Sequence, residues 1–149
     1  MKENAASRDP RSTRITIVQP EGWEKPGGYS NGIAVEGPVR WLEIAGQVAW
    51  DPDQHLVGGG DFVAQFRQAL SNVIEVVEAA DGKREHLVSL TIYVKDKRAY
   101  LAEVEAVGRA YRELVGRHFP AMALVEVADL LETGALVEIQ GRAAIPLGS

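Results

Sequence analysis

Along the first third of the chain, apolar positions recur every second residue. Thr13-Arg14-Ile15-Thr16-Ile17-Val18 alternates and is β-branched, which predicts a strand stopped by Pro20 and Gly22. Pro26-Gly27-Gly28-Tyr29-Ser30-Asn31-Gly32 is a dense cluster of turn formers. After it, Ile33-Ala34-Val35, a Glu36-Gly37-Pro38 turn and the run from Arg40 to Ala45 predict a hairpin. Its second strand continues through Gly46-Gln47-Val48-Ala49-Trp50 to a stop at Asp51-Pro52-Asp53.

The period then changes from two to that of a helix. Asp61 is a good N-cap, and Phe62, Phe66, Leu70, Val73, Ile74 and Val77 follow at helical spacing, with Gly82 beyond them as a stop. Leu87 to Val94 reads as a strand ending at Lys95-Asp96. Tyr100, Leu101, Val104, Val107, Tyr111 and Leu114 predict a second amphipathic helix. Beyond Pro120 come two late strands, Ala121 to Val127 and Ala135 to Ile139, the last running on toward Ile145-Pro146. Two helices cover only one face of such a sheet, so the other face is expected to associate.

Residues 1 to about 12 are polar, charged and proline-interrupted, and are expected to form a mobile tail ahead of a single domain over 13–149. The chain has 149 residues, and a domain of that size buries about 68–70% of its unfolded surface, enough for a core. A net charge of −5 disfavours nucleic acid and anionic lipid as partners. The absence of cysteine excludes disulfides, a thiolate nucleophile and a Cys-based zinc site. His55, His86 and His118 lack metal-ligand spacing, so no metal site is expected. Gly58-Gly59-Gly60 lacks the Lys-Ser/Thr of a phosphate loop and reads as a connector. No apolar run reaches the ~18 residues of a membrane span and the start has no signal-like apolar stretch, which together predict a cytoplasmic protein.

Seven short strings give the chain a family resemblance. They are Gly28-Tyr29-Ser30-Asn31-Gly32 with Ala45-Gly46-Gln47, Phe66 to Asn72, Thr91 to Asp96, Phe119-Pro120-Ala121, Val125-Glu126-Val127 and Gly134 to Ile139. In this order and at near-family spacing they resemble the Rid (reactive intermediate deaminase, or YjgF) family over roughly residues 26–146. The resemblance implies a chorismate-mutase-like α+β fold, with a mixed sheet and two helices on one face. It also implies a homotrimer with clefts between subunits, and cofactor-independent hydrolysis of enamines and imines to a carbonyl compound plus ammonia.

Attack on an imine carbon needs an activated water, and Glu138 matches the family's carboxylate, although a strand glutamate by itself is more often only solvated. Tyr29 matches the cleft tyrosine, where a lone loop tyrosine would otherwise simply pack. Gly46 and Gln47 match the family's Gly-Gln pair and read as cleft architecture. His118, beside Phe119-Pro120, is a candidate titratable group near the cleft mouth.

Three positions depart from the family. The arginine that clamps a substrate carboxylate is replaced by Met122, the serine before Gly-Gln is Ala45, and a second-helix asparagine seen in some members falls at Gly108. Losing a charged hydrogen bond to a bound anion costs about 2–5 kcal/mol, so a neutral or apolar imine is the expected substrate. Arg109, Arg112, Arg117 and Arg142 are the available substitutes for the clamp. The competing reading, supported by Met122, is a non-catalytic small-molecule binder or accessory protein on the same fold. A ribonuclease reading ranks last, because the sequence shows no basic stripe with interleaved aromatics.

Overall fold

In the computed structural model, residue 9 and residues 11–148 are described. Most of the expected tail, residues 1–8 and 10, lies outside them; Asp9 forms an exposed turn, accepting from the Arg11 amide at 2.9 Å. Six strands and three α-helices follow: β1 Arg14–Val18, β2 Gly32–Glu36, β3 Val39–Gln47, α1 Phe62–Ala79, β4 Leu87–Val94, α2 Lys97–Ala102, α3 Val104–Val115, β5 Ala121–Glu126 and β6 Val137–Pro146. β3, β6, β4 and β5 form a four-stranded sheet in that order, antiparallel except for the β4–β5 pair.

Helix α1 forms where the periodicity places it. The Asp61 carboxylate accepts from the Ala64 amide at 3.1 Å, and Phe62, Phe66, Leu70, Val73, Ile74 and Val77 are all buried. These side chains meet Leu90, Ile92 and Val94 of β4 and Val137 and Ile139 of β6 in one core. Gln65, in the middle of that apolar stripe, is fully buried and has every polar atom partnered. Its amide nitrogen donates to Gly59 and Gly134 at 2.7 and 2.9 Å, and its oxygen accepts from Leu136 at 2.8 Å. The glycine loop is thereby tied to the start of β6 rather than left as a loose connector.

The structure corrects two expectations. β2 and β3 do not form a hairpin: β2 pairs with β1 in a separate two-stranded sheet, and β3 pairs with β6. The reason lies at Gly37, where the backbone has φ 100° and a Cβ would stand 2.9 Å from the Cα of Thr13. The segment leading into β1 crosses the turn there, with the Thr13 hydroxyl donating to Pro38 at 2.6 Å, and takes the edge of β2. β3 is then free to lay Leu42 and Ile44 on the main core. The second predicted helix is broken at Glu103, whose φ of −118° and ψ of 17° divide it into α2 and α3. The break lets Tyr100 meet Phe62 edge-on at 6.4 Å between ring centroids while Val107 and Tyr111 turn into the core.

Candidate functional site

Strand alternation sorts the predicted site residues onto opposite faces of the sheet. Met122 pairs with Leu90, and Leu124 with Ile92, so both point to the helix face. There, Met122 and Leu124 form the floor of a cavity of about 460 Å³, within the range of small-molecule sites. Phe119, Tyr111 and Val107 line its walls, and Tyr29 overhangs it. The apolar stripe of α3 thus divides, with Val107 and Tyr111 serving the core while Val104 stays exposed and faces the cavity.

Tyr29 is positioned by its neighbour. Ser30 is buried, its amide donates to Pro120 at 3.0 Å, and its hydroxyl donates to the Phe119 carbonyl. These bonds fasten the glycine-rich turn to the segment that leads into β5. Burial pushes the Tyr111 phenol well above its ordinary value, and its O–H donates to the His118 carbonyl at 2.6 Å while its ring stacks on Phe119, 5.5 Å away. Tyr111 is therefore a neutral wall of the cavity.

Glu138 lies across the sheet from Met122. Its neighbours Val137 and Ile139 are buried against the helices, while Glu138 pairs with Tyr93 and points to the open face. Its carboxylate lies over Gly46, where an added Cβ would come within 2.9 Å of the Glu138 Cδ. Between Ile44 and Gln47 the β3–β6 register shifts, and the Gln47 side-chain Nε2 donates to the Ala45 carbonyl at 3.1 Å across this bulge. Ala45, Gly46 and Gln47 thus shape the strand beneath the carboxylate. They do not line the Met122 cavity. One chain alone does not bring Glu138 to Met122 and Tyr29.

His118 does not serve as a cavity residue. Its Nε2 lies 2.6 Å from the Leu87 carbonyl, which ties the segment after α3 to the start of β4, and the ring is absent from the cavity wall. Among the described residues, Asp51, Asp53 and His55 bring potential metal-ligand atoms within 4.8 Å of one another. Asp51 there already accepts the amides of Asp53 and His55, each at 2.9 Å, as a loop cap.

The four candidate arginines separate clearly. Arg142 is on the open face, paired with Glu43 at 2.7 Å and stacked over Trp41. Arg109 faces a shallow surface beside Leu101–Ala106. Arg117 lines a second hollow of about 590 Å³ with Trp23 and Lys25. Arg112 lines both this hollow and the Met122 cavity, and the two share Tyr29 and Phe119 as well. Sequence spacing offered no means of choosing among these four.

Comparison with known proteins agrees with this architecture. A family profile described as Endoribonuclease L-PSP matches residues 23–145. A RutC family protein of Pyrococcus horikoshii is 32% identical over 125 residues, covering 83% of this chain and 93% of the relative. A 2-iminobutanoate/2-iminopropanoate deaminase of Capra hircus is 32% identical over 114 residues, 76% of this chain and 77% of that enzyme. Among solved structures, the Rid-family protein YyfB of Yersinia pestis superposes with a TM-score of 0.76 at 32% identity, covering 88% of this chain and 98% of that one.

Proposed function

The chain belongs to the Rid (YjgF, Endoribonuclease L-PSP) family, and from that membership we propose that it is a cofactor-independent deaminase hydrolysing the C=N bond of a small imine with an apolar side chain. The apolar group lies in the Met122 cavity, whose lining carries no carboxylate. The observation that carries the reading is Glu138, held over Gly46 on a sheet face that a single chain leaves uncovered.

The active unit is a homotrimer in which the open face of one subunit meets the Met122 cavity of the next. Trp41 and Val125, both on that face and at least two-fifths exposed, supply apolar surface for the contact. Glu138 takes a proton from water as the water oxygen bonds to the imine carbon. Glu138 returns that proton to the nitrogen to complete the carbinolamine, then takes the hydroxyl proton and delivers it to the amine as the C–N bond breaks, which leaves a carbonyl and ammonia. Tyr29, at the cavity edge, donates a hydrogen bond to the substrate as charge develops.

The test is decay of imines generated in situ. Hydrolysis above the buffer rate, lost in Glu138→Gln and accompanied by a trimer mass in solution, is the expected result. No acceleration by the wild type for any imine of the panel would favour a binding role.

A further inference from the structure

Arg112 is the cation that touches the Met122 cavity, and it makes no ion pair among the described residues. The reason is legible on α3. Residues three and four positions away from it on the helix are Gly108, Arg109, Val115 and Gly116, none of them acidic. Glu113, next in sequence, is engaged with Arg67 at 2.7 Å. A basic residue in the last helical turn does gain from the helix dipole, which accounts for a cation at this end of α3. The dipole does not account for the direction in which the side chain lies.

That direction is set by Gly108. The Nη1 of Arg112 lies 3.2 Å from where a Cβ at 108 would stand, so the guanidinium folds back over a position with no side chain. In some members of the family an asparagine falls at this position. The same chain therefore lacks the arginine on β5, lacks the helix asparagine of those members, and carries in that space a guanidinium with no ion pair among the described residues. The adjoining hollow adds Lys25 and Arg117, and no carboxylate lines it among the described residues. A protein of net charge −5 has thus gathered three cations, with no salt bridge to them among the described residues, along two hollows that share Tyr29 and Phe119. At about 590 Å³ the second hollow is sized for a small molecule.

We propose that Arg112 is the anion-recognition residue of this site, with Gly108 as the position that admits it, so that the substrate carries a carboxylate held from the helix side of the cavity mouth. This rests on the reading that the Met122 cavity takes the apolar side chain of an imine, and replaces the expectation of a neutral substrate. The clamp has moved from strand to helix. A guanidinium at the new place still offers two parallel donors to a carboxylate, which a lysine does not.

The experiment is calorimetric titration of the assembled protein with the oxo acid corresponding to leucine and with its methyl ester. The acid binds the wild type at least about tenfold more tightly than the ester, the ratio expected of one charged hydrogen-bonded contact. Arg112→Met abolishes the preference, Gly108→Asn reduces it by displacing the guanidinium, and Arg109→Met retains it. Equal binding of acid and ester, no measurable binding of the acid, or a preference that survives Arg112→Met each overturns the proposal. Because binding is read without turnover, an Arg112-dependent preference in a protein that hydrolyses no imine would sink the deaminase reading and leave this assignment standing.

Discussion

The carboxylate of Glu138 fills the space in which a side chain at Gly46 would stand. The two residues lie on adjacent strands, β6 and β3, next to the irregularity that separates Ile44 from Gln47. Glycine is needed here for close approach of the glutamate. Gly46→Ala leaves the fold intact and drives Glu138 into another rotamer, a cost of about 0.5–1.5 kcal/mol. Thermal melts should show a small shift while kcat for imine hydrolysis falls at least about tenfold, since a displaced base loses its geometry. A normal kcat in this variant would remove Glu138 from the reaction.

Ser30 fastens the Tyr29 turn to the chain ahead of β5. Ser30→Ala strips a partner from the Phe119 carbonyl and should destabilise the protein by about 1–3 kcal/mol. Loosening Tyr29 should also raise KM more than it lowers kcat. Steady-state kinetics beside a denaturant titration separate the two effects.

Gln65 satisfies three backbone groups from inside the core. Gln65→Ala leaves all three without that partner and opens a cavity, which should cost about 3 kcal/mol or more. For a domain of this size, that lowers Tm by roughly 6–12 °C. Calorimetry checks the figure.

His86 supplies a pH dependence of stability. Desolvation, followed by the nearby Lys83, lowers its pKa from the ordinary 6.5, and its Nδ1 accepts the Lys83 amide at 3.0 Å. A histidine held neutral in the folded state contributes stability that is fully present above pH 6.5 and is lost as pH falls through the lowered value. Wild-type Tm should therefore decline below that pH, and His86→Gln should flatten this part of the profile. An unchanged profile in the variant would assign the decline to other groups.

Much of the fold was legible in the residues. The apolar spacing from Phe62 to Val77 and the β-branched run from Leu87 to Val94 correspond to α1 and β4, because burial of one stripe or one face leaves a periodic mark. The break at Glu103 left no such mark, since Leu101 and Val104 are apolar yet exposed, and Val104 faces the cavity. Met122 was legible as a departure from the family, whereas Arg112 was one of four arginines of equal standing in the sequence.

By itself, the sequence determined the type and order of most elements, the turns that separate them and the loss of the β5 arginine. Each of these is written in residues a few positions apart, where periodicity, capping and proline or glycine geometry act. Only the tertiary structure decided that β1 takes the edge of β2, that Glu138 and Met122 occupy opposite faces of one sheet, and that Arg112 reaches the cavity. Those outcomes depend on contacts between distant segments, such as Ser30 with Phe119 and Leu87 with His118, and on the empty volume over Gly108. Pairing and free space of that kind arise when the chain closes on itself, and no local pattern encodes them.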